Sequence, residues 1–446
     1  MRFLVNGGRP LRGSVDISGS KNAALPILAA TLLSKEESVL TNVPDIRDIH
    51  KMLEIMEHLG SQFSFENNTI RIQTESIKTT EIPLGLVKTM RASILLVGPM
   101  LIRTGHIRIG FPGGCVLGKR PIDTHLDAFR ALGTDITEEE EYIDFKLQSP
   151  QAGKVVLKEI SVTATENILM LAAGIPGDTE IRLAAQEPHV ADLCEYLKSC
   201  GVELSGEGTH VVKVKGTPAI HGAEHRIIAD YLEVGTFAIA AAATQGDVTL
   251  QGIRMHDLDA LWQKLEEMGV ILDFGQSSVR VRGVKQMAPI AKLDTGIFPK
   301  FPTDLQAPFV VLLTQAHGVS KVFETLFEGR LNYLFELEKM GARFEFLNPH
   351  QAIILGPSEL KGAPIASCDI RAGAGMVVAA LMAEGETEIS SINYIDRGYE
   401  RLDEKLRHLG ANIVRMQSEQ DIEAQQRSLA SFAAKEKSGV SSEVNR

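Results

Sequence analysis

Aromatic side chains make up only 5% of this 446-residue chain, and just one of them is Trp. A core built from such a sequence has to be aliphatic. Cysteine is equally scarce, at positions 115, 194, 200 and 368. Four thiols in a chain this long make no disulfide framework, and none has the spacing of a zinc site. No run of about 18 apolar residues occurs, so no membrane span is expected. The opening Met1-Arg2-Phe3-Leu4-Val5-Asn6-Gly7-Gly8 lacks the apolar stretch of a secretion signal, which makes a reducing cytoplasm the expected location. Positive charge is not in excess either: 46 Lys and Arg stand against 57 Asp and Glu, for a net −11. That balance argues against nonspecific binding to nucleic acid or to an anionic membrane, while leaving room for a local basic pocket. The twelve His form no metal constellation. His50, His58 and His408 lie in charged helical stretches and read as surface, Cys194 and Cys200 read as core or half-buried on a helix, and His125 falls close to the loop discussed below.

What the chain has instead is repetition. An amphipathic helical stretch closes on an apolar residue or Cys followed by Gly six times, at Gly60, Gly133, Gly201, Gly269, Gly341 and Gly410, at intervals of 68 to 73 residues. Glycine just past a helix is the expected left-handed cap. Each is followed by a β-like run such as Val270-Ile271-Leu272-Asp273-Phe274. The front of each unit is an Ala-rich helix, for example Ala23 to Ala30 or Gly235 to Ala242, then a Gly turn and a β-branched strand such as Val248-Thr249-Leu250. These helices are apolar nearly all round and are expected inside, whereas charged amphipathic ones such as Leu258 to Met268 are expected outside. Length and six units suggest two domains of three, with the best boundary at 226–230. Beyond Met416 the composition turns to Gln, Ser, Glu and Lys, which reads as a disordered or loosely attached tail.

Two stretches carry candidate chemistry. Phe111 to Pro121 holds three Gly and two Pro, so it is a loop, and it bears Cys115 with Lys119 and Arg120 behind it. Neighbouring cations favour a nucleophilic thiolate. An ordinary turn with an incidental Cys is the alternative. Separately, Lys21, Arg91 and Arg371 each head an Ala-rich helix, where the N-terminus favours anions and Arg can grip carboxylate or phosphate with two bonds. Asp304, in Pro302-Thr303-Asp304, is either a base or a helix cap.

Taken together, four motifs resemble one family, the UDP-N-acetylglucosamine enolpyruvyl transferases of the EPSP synthase-like superfamily: Gly19-Ser20-Lys21-Asn22-Ala23-Ala24-Leu25-Pro26; Pro112-Gly113-Gly114-Cys115 with Arg120-Pro121-Ile122-Asp123; Phe301-Pro302-Thr303-Asp304-Leu305-Gln306; and Asp396-Arg397-Gly398-Tyr399-Glu400. The resemblance runs over residues 1–416. It implies an α/β fold, a two-domain inside-out α/β barrel of six β-α-β-α-β-β repeats, three per domain. Residues 1–20 with 230–416 would form one domain, 21–229 the other with the Cys115 loop, and 417–446 the tail. It implies transfer of the enolpyruvyl group of phosphoenolpyruvate to the 3′-OH of UDP-N-acetylglucosamine, the first committed step of peptidoglycan synthesis, without cofactor or metal. It assigns Cys115 as acid and as the target of the covalent inhibitor fosfomycin, Asp304 as base, and Lys21 and Arg397 as catalytic cations. Substrate contacts would come from Lys21, Asn22, Arg91, Arg120, Pro121, Ile122, Asp123, Thr124, Ser161, Val162, Asp304, Leu326, Asp369, Arg371 and Arg397. Glu187 resembles a further substrate position, and both it and Asn22 read equally as a cap or a surface contact.

The chain departs from the family pattern at several points. Thr163 stands where Gly is usual, Gly329 where Asn is usual, Gly373 and Gly375 where Ser is usual, and Lys119 where a small residue is usual. A side chain at Thr163 could crowd the uridine side. Two alternatives therefore stay open: an enolpyruvyl transferase with another acceptor, and a non-catalytic paralogue that binds a UDP-sugar. Turnover separates them, because a pure binder releases no phosphate.

Overall fold

The computed structural model describes residues 1–88, 90–113 and 121–417. Cys115, Lys119 and Arg120, together with almost all of the expected tail, lie outside the described residues.

Six sheets form among the described residues, and each follows one plan. The plan is plainest at 154–216. Strand Lys154–Val156 lies parallel to Gly177–Arg182, which pairs antiparallel with Val211–Gly216, itself antiparallel to Glu203–Ser205. Helix Val162–Gly174 connects the two parallel strands and helix Pro188–Ser199 leads into the hairpin. The sheet at 293–356 carries a fifth, two-residue strand, Phe301–Pro302.

Burial separates the two kinds of helix as their composition predicts. Helix Tyr231–Ala243 is buried at all thirteen positions and Gln306–Leu313 at all eight. By contrast Asp259–Glu267 buries only Leu261, Trp262 and Leu265, its apolar stripe. Small Ala side chains let the inner helices approach closely, which suits a core with few aromatics. The six repeat glycines all have positive φ, from 90° to 120°. That is the conformation in which a helix ends by turning back into a strand, and one that β-carbons disfavour.

Three strands pair far from their sequence neighbours. Arg12–Asp16 lies parallel to Asp247–Gln251. Arg2–Asn6 sits between Glu386–Ser390 and Asn412–Met416. Glu224–Arg226 joins Ser38–Thr41. The chain therefore crosses between two bodies twice, and the crossings meet at an antiparallel bridge between Gly19 and Ala229. One buried core gathers residues from 3–17 and 231–413, the other residues from 23–227. We propose that each core is one domain, with the limits 1–20 plus 230–416 and 21–229. No helix among the described residues is long and apolar enough to cross a membrane.

Candidate functional site

Several candidate residues sit at or just before the starts of inner helices. Lys21 is the first residue of helix Lys21–Ala30, capped by Ser20, whose Oγ accepts from the Ala23 N–H at 3.3 Å. Arg371 is the second residue of Ile370–Met382, capped by Asp369. Asp304 occupies the single 3-10 turn before Gln306–Leu313, and Arg397 ends the short turn Ile395–Arg397.

Four of these side chains converge. Arg371 Nε donates to Asp304 Oδ2 at 3.2 Å, and Arg330 Nη2 donates to Asp304 Oδ1 at 2.7 Å. A β-carbon placed on Gly398 would lie 3.9 Å from Lys21 Nζ and 4.0 Å from Arg371 Nη1, so that glycine marks the gap between the two cations. Lys21 Nζ and Arg397 Nε both reach Asp48, at 3.5 and 2.9 Å. Arg371 is only 4% exposed, and neither of its terminal nitrogens has a hydrogen-bond partner. Its guanidinium stacks on the Tyr399 ring at 5.1 Å. Buried donors without partners are rare and costly, and a site that keeps them has a use for an outside acceptor.

Ionisation follows from this packing. Burial pushes the Asp304 carboxyl up, but Arg330 and Arg371 outweigh it and hold the group well below the usual carboxylate range. Its side chain stays 32% open, so the carboxylate is both ionised and reachable. Burial lowers Lys21, Asp48 and Asp304 oppose that, and Arg371 and Arg397 add to it. Four cations, Lys21, Arg330, Arg371 and Arg397, thus share two carboxylates, Asp48 and Asp304.

A second group lies toward Pro121. Arg91 Nη2 donates to the Pro121 carbonyl at 3.4 Å. Thr124 donates to Glu159 at 3.4 Å. Ser161 caps Val162–Gly174, accepting from the Ala164 N–H at 3.4 Å, with Val162 half-buried beside it. His125 is buried here, its Nδ1 accepting from Asn167 Nδ2 at 3.3 Å and its Nε2 donating to Thr163 Oγ1 at 2.9 Å. Burial, aided by Arg91, lowers His125 to about 3, so it is neutral. Thr163→Gly should leave that ring N–H buried without an acceptor and cost about 1–3 kcal/mol. A thermal melt checks this: the Gly variant should unfold at a lower temperature, and Thr163→Ser should lose much less.

Other expectations resolve individually. Asp369, a substrate contact by resemblance, caps its helix here; its Oδ1 takes the backbone N–H of Arg371 at 2.7 Å and of Ala372 at 2.8 Å. Asn22 and Ile122 are half-buried, and Pro121 and Asp123 are exposed. The Leu326 side chain is exposed, while its N–H is held by Glu324 Oε1 at 2.9 Å. Glu324 Oε2 takes the Thr303 hydroxyl at 2.7 Å, which ties that turn to Asp304. Glu187 is half-buried just before Pro188–Ser199, with one buried oxygen unpartnered. Burial raises its carboxyl, and burial beside it raises that of Glu166 on the facing helix. Gly329 has φ 75°, a region that Asn also visits, so its replacement of Asn keeps the backbone turn.

Asp48 and Arg330 are members of the cluster that sequence reasoning missed. Asp48 had a signal: it falls on the same helical stripe as Ile49, Met52, Met56 and Leu59, where a charge is out of place. Arg330 had none, since its partner is 26 residues away. Among the described residues no group of three His, Cys, Asp or Glu could hold a metal ion.

The architecture is six sheets around buried helices, with Lys21 and Arg371 at two of the helix starts. The fold is similar to the enolpyruvyl transferase NikO from Streptomyces tendae, with a TM-score of 0.84 at 23% identity over 94% of this chain and 99% of that one. It is also similar to EPSP synthase from Acinetobacter baumannii, with a TM-score of 0.74 at 16% identity over 94% and 100%. The family model for EPSP synthase (3-phosphoshikimate 1-carboxyvinyltransferase) matches residues 5–406. The UDP-N-acetylglucosamine 1-carboxyvinyltransferase 1 of Caldanaerobacter subterraneus subsp. tengcongensis is 42% identical over 93% of this chain and 99% of its own. The UDP-N-acetylglucosamine 1-carboxyvinyltransferase of Magnetococcus marinus matches at 42% over the same shares. The chain belongs to the EPSP synthase family and, within it, to the UDP-N-acetylglucosamine 1-carboxyvinyltransferases.

Proposed function

We propose that this protein transfers the enolpyruvyl group of phosphoenolpyruvate to the 3′-OH of UDP-N-acetylglucosamine and releases phosphate, in the cytoplasm, as the first committed step of peptidoglycan synthesis. The observation that carries the reading is the Arg371 guanidinium, buried, unpartnered at both terminal nitrogens and set beside Lys21 and Arg397. Phosphoenolpyruvate brings a carboxylate and a phosphate, the two groups that such a cation cluster recognises.

The chemistry is addition followed by elimination. Asp304 takes the proton of the sugar hydroxyl as its oxygen bonds to C2 of phosphoenolpyruvate, and an acid protonates C3. The C2–O bond to phosphate then breaks, phosphate leaves with the electron pair, and loss of a C3 proton restores the double bond. Lys21, Arg371 and Arg397 stabilise the negative charge of the donor and of the leaving phosphate. Asn22, Arg91 and Arg120 extend the donor side. Pro121, Ile122, Asp123, Thr124, Ser161, Val162 and Leu326 take the nucleotide sugar, and Asp369 holds the Arg371 helix start. The acid is the Cys115 thiol; in its deprotonated form the same sulfur attacks an epoxide carbon of fosfomycin, forming a carbon–sulfur bond as the ring carbon–oxygen bond breaks and its oxygen takes up a proton.

A direct test pairs two variants in a phosphate-release assay. Cys115→Ser should lose turnover yet melt like the wild type. Cys115→Asp should keep turnover and resist fosfomycin. Wild-type rates in the Ser variant, or irreversible inactivation of the Asp variant, would remove Cys115 from both roles. Thr163, bonded to His125 on the acceptor side, favours one second reading, a transferase with a different acceptor.

A further inference from the structure

Asp48 is 7% exposed and lies in the first turn of helix Arg47–Leu59, within the core that spans 23–227. Its two oxygens face different cations. Oδ2 is 3.5 Å from Lys21 Nζ of the same core, and Oδ1 accepts from Arg397 Nε at 2.9 Å across the boundary between the cores. The same two segments are fastened a second time. Glu400 Oε1, three residues beyond Arg397, accepts from the Asp45 N–H at 3.1 Å and from Asn68 Nδ2 at 2.7 Å. Its other oxygen accepts from the Ser18 hydroxyl. Segment 397–400 is thus docked on segment 45–48 by two carboxylates pointing in opposite directions across the boundary.

Two cations aimed at one small anion repel each other when that anion is absent. A fixed carboxylate between them removes the repulsion and sets their spacing before substrate arrives, a preorganisation that favours a rigid donor site. We propose that Asp48 is a positioning residue for the enolpyruvyl donor, joining Lys21 of one core to Arg397 of the other so that both cations address the same phosphoenolpyruvate. The proposal rests on the function set out above.

A second consequence concerns the Lys21 proton. Among the described residues Lys21 faces Asp48, Arg371, Asp304 and Arg397. Burial and the two arginines favour the neutral amine, and the two carboxylates favour the ammonium. Removing the Asp48 charge lowers the Lys21 pKa further, so Lys21 would lose its proton at lower pH.

The test compares wild type, Asp48→Asn and Asp48→Glu by phosphate release, with each substrate varied in turn. Asp48→Asn should raise KM for phosphoenolpyruvate on the order of tenfold to a hundredfold, the size of one or two charged hydrogen bonds. KM for UDP-N-acetylglucosamine should change less than about twofold. The alkaline limb of kcat/KM for phosphoenolpyruvate should move to lower pH, and Asp48→Glu should recover part of both effects. An unchanged KM for phosphoenolpyruvate with an unmoved limb would overturn the proposal. So would an equal loss toward both substrates accompanied by a lower melting temperature, since that describes a structural tether. If wild type releases no phosphate, the functional reading fails by itself. Calorimetric titration of phosphoenolpyruvate alone then decides on Asp48, with weaker binding to Asp48→Asn supporting the proposal and equal binding overturning it.

Discussion

Asp304→Asn is expected to lower phosphate release by roughly 10²- to 10⁴-fold, the range over which a positioned proton acceptor contributes. Asn keeps the shape of Asp but only one of its two acceptor positions, since its NH2 cannot accept from an arginine, and it cannot take the proton of a sugar hydroxyl. The variant leaves Arg330 and Arg371 charged, so affinity for phosphoenolpyruvate should hold or tighten while kcat falls. Arg330 still donates to the Thr303 hydroxyl at 2.8 Å, which limits the loss of stability. The environment of Asp304 adds a sign to this. Two arginines keep it ionised, and a carboxylate held that low is a weak base. A bound anionic donor competes for Arg371, so the Asp304 pKa should rise in the complex. The acid limb of kcat, which reports the complex, should therefore lie at higher pH than that of kcat/KM. Wild-type kcat in Asp304→Asn would remove Asp304 as the base.

The second large effect is expected at Arg371. Its Nε is engaged by Asp304 while its two terminal nitrogens are buried and unpartnered. If those two donors grip one anionic group of phosphoenolpyruvate, Arg371→Met should raise KM for that substrate by roughly a hundredfold or more, the equivalent of two charged hydrogen bonds. Arg371→Lys keeps a charge and loses the fork, so it should fall between. Removing this arginine also relieves Asp304 of one of the charges that depress it, and its carboxyl should titrate closer to the ordinary range. Steady-state kinetics with varied phosphoenolpyruvate measures the effect, and an unchanged KM in Arg371→Met would place the donor elsewhere.

How far these features can be read from the sequence depends on how local their causes are. The inner helices are legible because Gly235 to Ala242 has no polar face to leave outside. The repeat glycines are legible because a helix that must reverse needs one residue at positive φ. The helix-heading cations Lys21 and Arg371 are legible for the same reason, since a charge at the start of a wholly buried helix has few places to go. Causes spread over long separations are not legible. Arg12–Asp16 finds its partner 235 residues later, at Asp247–Gln251. Arg330 looks like an ordinary surface charge until the fold brings it under Asp304. The role of Asp369 was narrowed by geometry, because its carboxylate satisfies the first N–H groups of its helix. Thr163 departs from the family pattern, and its contact with His125, 38 residues away, is visible only in the fold.

The measurement that bears most directly on the account is phosphate release from phosphoenolpyruvate with three parallel acceptor conditions: UDP-N-acetylglucosamine, shikimate 3-phosphate and none. The account predicts release only with the nucleotide sugar, accompanied by a product carrying the enolpyruvyl ether at the sugar 3′ position. Release with shikimate 3-phosphate alone, or none with saturating nucleotide sugar, would contradict it.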